Sequence, residues 1–282
     1  VTRHEARTGR VPGQGEDATG AQVPVRGAEI AFTARGRGDV VLHAHGLTSS
    51  RAADTARDLV DYAPAAAGHR LISYDARGHG RSTGAPRPED YRWDALAQDM
   101  LALADHFSPD RPVGVIGASM GTATALHAAV RAPHRFSRLV LTTPPTAWEA
   151  RAAQAGQYRY MADLAARDAT GLMALIRDSP APAALAGTRY SAEPDVSAAL
   201  LPHVLAGAAA SDLPAPEALA ALRLPTLILA WDTDPVHPVE TAERLKALIP
   251  ASRLHVSTTP QDIAGWGRRA AAFLGEPTRS TH

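Results

Sequence analysis

The sequence has no cysteine. That excludes disulfides, thiolate metal sites and a cysteine nucleophile. It has no net charge, because 29 Lys+Arg balance 29 Asp+Glu. A nucleic-acid binder needs a basic surplus to displace counterions from phosphates, and no basic run supplies one locally. No apolar stretch approaches the ~20 residues of a membrane span, so no membrane partner is expected. The first residues, VTRHEARTGRVPGQGEDATGAQ, lack the apolar segment of a secretory signal. Residues 1–21 read as a polar, disordered leader and 276–282 as a tail, with a cytoplasmic location expected. What is present is a chain of 282 residues, 45% hydrophobic. That suffices for one large core, or a core plus a sub-domain.

Strand and helix patterns alternate. Residues 22–34 read as two short strands around Gly27, and 39–44 (DVVLHA) as a third. Apolar runs recur at 71–74, 113–116, 139–142, 226–230 and 253–256. Short runs bounded by Gly, Pro or Asp suit strands buried on both faces of a parallel sheet. Between them lie helical patterns. The clearest spans 93–107, with Trp93, Leu96, Met100, Leu103 and Phe107 on one stripe. The alternation predicts an α/β fold with a mostly parallel sheet. Active sites of such sheets sit at the carboxyl ends of the strands. One interval breaks the pattern. Residues 146–223 are rich in Ala and Leu and broken by Pro180, Pro182, Pro194, Pro202, Pro214 and Pro216. They read as several short helices forming a cap over the site. The core is then 22–145 plus 224–275.

Gly117-Ala118-Ser119-Met120-Gly121 is the strongest motif. It follows an apolar run and precedes a small-residue helix pattern, the context a G-x-S-x-G nucleophile elbow requires. The turn is tight, so small residues must flank the serine. The serine oxygen then sits at a helix N-terminus, where the dipole favours developing negative charge. Two other loops follow strand patterns: His45-Gly46-Leu47-Thr48, and Asp75-Ala76-Arg77-Gly78-His79-Gly80-Arg81-Ser82.

With these three loops in this order, the chain resembles α/β-hydrolase-fold proteins that carry a helical cap. The resemblance covers about residues 22–275. It implies that Ser119 is the nucleophile and that the backbone N–H groups of Leu47 and Met120 form the oxyanion hole. It implies that Asp234, in the loop after the run 226–230, is the acid, with Asp232 a less favoured alternative closer to the strand end. Pro238 matches a proline of the family's acid loop. An Asp before Pro is also an ordinary turn former.

The resemblance also calls for a histidine after the last strand, and none is there. The run 253–256 leads into Ser257-Thr258-Thr259-Pro260-Gln261-Asp262. That reads as a helix start, with Thr259 as cap, Pro260 first and an acid in the first turn. A serine hydroxyl is a poor nucleophile without a base. Of the 12 histidines, His4 and His282 lie in the tails, and His69, His106 and His134 read as surface residues. His127 is about 12 Å down the helix from Ser119 at 1.5 Å per residue. His45 and His79 sit in structural loops, His43 and His255 on strands, and His203 in the cap. His237 lies on the acid's own loop, Asp234-Pro235-Val236-His237-Pro238. A type I turn there brings Asp234 and His237 together. His237 is therefore the expected relocated base, with His203, His79 and His43 as alternatives.

The expected chemistry is cofactor-independent acyl transfer on an ester, thioester, lactone or amide of a bulky, partly aromatic small molecule. His45, Trp148, Tyr158 and Tyr160 are the candidate substrate contacts, and Met161, Met173 and Tyr190 add apolar bulk to the cap. The missing loop motivates an alternative. The family resemblance admits non-hydrolytic lyases, cyclases and C–C bond-forming enzymes of natural-product pathways. A third reading is a catalytically silent binding protein. No HxxxH or HExxH spacing and no Gly-rich phosphate loop occurs, so neither metal nor nucleotide cofactor is expected.

Overall fold

A computed structural model describes residues 18–182, 185, 188, 193–234 and 236–277. Most of the expected leader and tail lie outside the described residues, as do His4, Tyr190, Pro235 and His282. One sheet of eight strands organises the rest. In chain order these are β1 (Ala18–Val25), β2 (Ala28–Arg35), β3 (Asp39–Ala44), β4 (His69–Tyr74), β5 (Val113–Ala118), β6 (Phe136–Thr142), β7 (Thr226–Trp231) and β8 (Ser252–Ser257). β1 begins inside the stretch read as leader, because residues from Ala18 onward pair with β2. Arg26 and Gly27 join β1 to β2 with φ of 47° and 80°. Two successive positive φ values give the tight turn whose twist matches the flanking strands.

Across the sheet the order is β1-β2-β4-β3-β5-β6-β7-β8. β1–β2 and β2–β4 are antiparallel, and all later pairs are parallel. The central strands carry the continuous apolar runs that burial on two faces demands, and every residue of β7 is buried. On one face pack α2 (Trp93–Phe107), α3 (Met120–Arg131) and α7 (Val239–Leu248). The stripe of Trp93, Leu96, Met100 and Leu103 is buried there. The other face is covered by residues 59–66, α8 (Pro260–Ala264) and α9 (Trp266–Leu274). α1 (Arg51–Arg57) follows β3 and is capped by Ser50, whose side chain accepts from the Ala53 N–H. No helix among the described residues is long and apolar enough to cross a membrane.

The insertion between β6 and β7 departs from the expected series of short helices. It opens with α4 (Arg151–Arg177), 27 residues long and broken at Asp168, where φ is −153° and ψ 79°. Asp168 Oδ1 accepts the N–H of Gly171 at 2.8 Å. Asp168 thus caps the second half of the helix from within. α5 (Leu201–Ala209) and α6 (Pro216–Ala220) complete the insertion. α4 and α5 enclose a separate apolar cluster around Ala165, Leu172, Leu201 and Val204.

Hydrogen bonds dock the insertion on the carboxyl edge of the sheet. Asp195 N–H donates to Thr48 O at 2.8 Å, and Gly80 N–H donates to Asp195 O at 2.8 Å. Ser50 Oγ donates to the Asp195 carboxylate. At the other end Arg151 is buried. Within the insertion it donates to Ser211 O at 2.8 Å and Ala208 O at 2.6 Å. The contacts to the core are its guanidinium, 4.3 Å from the Trp93 ring centroid, and the Trp93 N–H, which donates to Ser211 Oγ at 3.0 Å.

Candidate active site

Ser119 lies between β5 and α3 with φ 50° and ψ −107°. A non-glycine residue there is strained, as the tight strand-to-helix turn of a G-x-S-x-G motif demands. The flanking glycines are required by space. A Cβ on Gly117 would lie 2.5 Å from Gly121 O, and one on Gly121 would lie 2.2 Å from Ala44 O. The backbone holds the turn through Ser119 N–H to Thr142 O, 3.0 Å.

His237 reaches this serine from the loop after β7. Its Nε2 is 2.9 Å from Ser119 Oγ, and its Nδ1 is 2.9 Å from Asp234 Oδ2. The other carboxylate oxygen, Asp234 Oδ1, accepts the N–H groups of Val236 at 2.9 Å and His237 at 3.0 Å. One short loop therefore positions both residues, with the Asp234 side chain acting as its internal clamp. An ionised carboxylate only accepts, so Nδ1 carries the proton and Nε2 faces the serine hydroxyl as an acceptor. The Asp234 side chain is 2% exposed and that of His237 16%. The carboxylate is thus shielded by the ring, which faces the cavity. Asp232 is elsewhere, tied by its N–H to Ser257 O at 2.9 Å.

At the end of β8 only Thr258 and Thr259 precede α8. Thr259 caps that helix by accepting from Asp262 N–H. Ile263 and Trp266 follow and line the cavity. The Trp266 indole N–H donates to Ser257 Oγ at 2.8 Å. Apolar bulk thus stands beside the strand end from which the resemblance called for a histidine.

Met120 is the first residue of α3, so its N–H is among those a helix leaves without an internal acceptor. Leu47 and Thr48 are the central residues of a turn closed by Ser49 N–H to Gly46 O, 3.2 Å. A Cβ on Gly46 would lie 3.5 Å from Ser119 Cβ, so this loop lies next to the serine.

The cavity has a volume of about 420 Å³. The core contributes Leu47, Val60, Tyr62, Trp231 and Trp266, and the insertion contributes Tyr158, Met161, Ile176 and Leu205. Of the four expected substrate contacts, only Tyr158 is in this wall. Burial raises the pKa of its phenol, and Arg151 works against that rise. His45 is a correction. It is buried, its Nδ1–H donates to Gly46 O at 2.8 Å, and its Nε2 accepts Ala76 N–H at 2.9 Å. Both ring nitrogens are used to lock one loop to the next. Trp148 is also outside the wall. Its indole donates to Pro214 O at 3.0 Å, and Arg244 lies over its ring at 4.5 Å. Tyr160 is 65% exposed, pointing away on the outer side of α4.

Trp231, Trp266 and Tyr62 are wall residues that the sequence patterns do not single out. Only Trp231 carries a signal, as the residue that directly follows the apolar run 226–230 at the carboxyl edge.

The alternative bases stand apart from Ser119. His43 is buried on β3, its Nδ1 3.2 Å from Ser73 Oγ, and burial pushes its pKa to about 4. His79 is buried with Nδ1 2.8 Å from Arg77 O, and burial lowers its pKa to about 3. His203, on α5, is not in the cavity wall. His127 bonds to Asp212 O at 2.8 Å, joining α3 to the insertion. No cluster of three or more metal-ligating side chains occurs among the described residues.

Comparison with known proteins follows the same outline. The model of the alpha/beta hydrolase fold family matches residues 39–265. The uncharacterized hydrolase YraK of Bacillus subtilis (strain 168) is 30% identical over 123 residues, 44% of this chain and 43% of that protein. The match thus spans less than half of that relative's length. Proline iminopeptidase PfmaB of Pestalotiopsis fici is 27% identical over 122 residues, 42% of each chain. Among solved structures, a hydrolase from Pseudomonas aeruginosa PA01 superposes with a TM-score of 0.71 at 24% identity, covering 91% of this chain and 98% of that one. With the family model spanning β3 through α8 and an eight-stranded sheet of the matching kind, the chain belongs to the alpha/beta hydrolase fold family.

Proposed function

We propose that this protein is a cofactor-independent serine hydrolase that cleaves a carboxylic ester, thioester, lactone or amide of a bulky small molecule. The observation that carries the reading is the chain of contacts from Ser119 Oγ through His237 to Asp234, 2.9 Å at each link. The hydroxyl oxygen attacks the carbonyl carbon while its proton passes to His237 Nε2. The imidazolium formed is stabilised by Asp234. The tetrahedral oxyanion accepts hydrogen bonds from the N–H groups of Leu47 and Met120. His237 returns the proton to the leaving group, which departs and leaves an acyl-serine. Water, deprotonated by His237, then attacks that ester, and the acid product leaves with Ser119 restored.

The non-hydrolytic alternative is motivated by the missing loop after the last strand; a histidine at hydrogen-bond distance from the serine supports the hydrolytic reading over it. The size and walls of the cavity support a ligand with substantial apolar surface. A fluorophosphonate probe tests the reading without knowledge of the substrate. Wild type should be labelled, and labelling should be lost in Ser119→Ala and in His237→Ala. Undiminished labelling of His237→Ala would remove the proposed base.

A further inference from the structure

The acyl-transfer chemistry leaves one charged group in the cavity wall unused. Ser49, Asp54 and Arg57 stand together on its α1 side. Arg57 Nη1 donates to Ser49 Oγ at 2.6 Å and to Asp54 Oδ1 at 3.2 Å. Ser49 Oγ donates in turn to Asp54 Oδ1 at 2.6 Å. The side chains are only partly exposed, 23% for Arg57 and 29% for Asp54.

Among the described lining residues Arg57 is the only Lys or Arg, and Asp54 the only carboxylate besides Asp234. Alone, a guanidinium in such a wall would capture carboxylates as bidentate partners. Here its charge is cancelled at contact distance, and its Nη1 donors are already taken. An entering carboxylate would meet Asp54 beside Arg57 in the same wall, and Asp234 stands behind His237 with a second negative charge. A neutral group meets no such opposition. Asp54 Oδ2 accepts no hydrogen bond among the described residues, so the carboxylate keeps acceptor capacity for a hydroxyl or an N–H.

Building on the acyl-transfer reading, we propose that Asp54 is a specificity-determining residue. It converts Arg57 from an anion site into half of a neutral pair. The cavity thereby selects uncharged substrates that carry a hydroxyl or amide and rejects those that carry a second, free carboxylate. Specificity of this kind rests on a built-in repulsion as much as on attraction.

The test uses p-nitrophenyl hexanoates ending in methyl, hydroxyl, carboxamide or carboxylate. In wild type, kcat/KM for the hydroxyl and carboxamide esters should equal or exceed that of the methyl ester. The carboxylate ester should fall about tenfold or more below them, the effect of one modest charge interaction. Asp54→Asn should raise the carboxylate ester about tenfold while moving the neutral esters by about twofold at most. Arg57→Gln should lower the carboxylate ester further, and it decides the matter if Asp54→Asn does not fold. Equal turnover of the carboxylate and neutral esters in wild type would overturn the proposal, as would an unchanged ratio in Asp54→Asn.

If wild type cleaves none of the esters, the acyl-transfer reading fails and binding decides the specificity. Methyl ketones with the same four termini, titrated calorimetrically into Ser119→Ala, should bind with the carboxylate weakest. That deficit should shrink in Ser119→Ala/Asp54→Asn. Equal binding of all four would overturn the proposal.

Discussion

The ends of β7 and β8 lie side by side at the carboxyl edge of one sheet, and they are built in opposite ways. After β7 the chain spends seven residues, 232–238, before α7 begins. That loop turns back on itself, because Asp234 Oδ1 gathers the N–H groups of Val236 and His237. After β8 it spends two residues and enters a capped helix. The first connection presents a carboxylate and an imidazole to Ser119. The second presents Ile263 and Trp266, whose bulk closes the cavity. A charge-handling pair needs a loop that can aim side chains, while a wall needs only apolar volume on a fixed helix. Placing both polar groups on one loop also makes their mutual geometry independent of any second loop.

The sharpest way to break this comparison is at the β7 loop. Ser119→Ala and His237→Ala should each lower kcat/KM by about 10⁴-fold or more, and the double variant should lose little further, because such residues act as a unit. Asp234→Asn should cost about 10⁴-fold, at the low end of that range. It also weakens the clamp on Val236 and His237, so its loss should include a drop in the fraction of correctly oriented imidazole. Steady-state kinetics on an activated ester measure all three. Additive losses in the double variant would mean that Ser119 and His237 do not work together.

The β8 side should respond in stability. Trp266 is 2% exposed. Trp266→Ala should destabilise by about 3–5 kcal/mol in denaturant unfolding, from the cavity left behind. It should also enlarge the substrate range, since the residue lines the cavity. Thr259→Ala removes the cap of α8 and should cost about 1 kcal/mol.

The smallest effect is at the surface. Hydrogen bonding from Arg269, with help from Ser257 and His255, holds the Asp262 pKa down at about 2. A depressed carboxylate contributes stability above its unfolded value of about 4 and loses it as pH falls further. Thermal unfolding of Asp262→Asn should therefore lie slightly below wild type at neutral pH. The two curves should converge as pH drops to about 2. The group is partly exposed, so the difference should be small and shrink with salt.

Several features were readable in the chain because they are local. The strand at 39–44, the helix at 93–107, the elbow around Ser119 and the cap at Thr259 each follow from a periodicity or a turn chemistry spanning a few residues. The proximity of Asp234 and His237 was readable for the same reason, being set within one turn. The insertion differs from the series of short helices that local rules predict. Its prolines begin only after residue 177, so α4 runs long, and Asp168 breaks it by capping from within. Trp148 and Tyr160 look like ligand contacts by composition, but the roll of α4 and the contacts of Trp148 turn both away from the cavity. His45 shows the same limit. A histidine next to the candidate oxyanion loop is indistinguishable in sequence from one that faces the ligand.

By itself the sequence determined the alternating elements, the strained serine turn and the absence of a histidine after the last strand. Only the tertiary structure decided which imidazole meets Ser119 across 118 residues of chain, what fills the space beside β8, and which side chains line the cavity. Local patterns fix backbone conformation through short-range sterics and hydrogen bonds. The meeting of distant side chains depends on how whole elements pack, and no short window of sequence contains that.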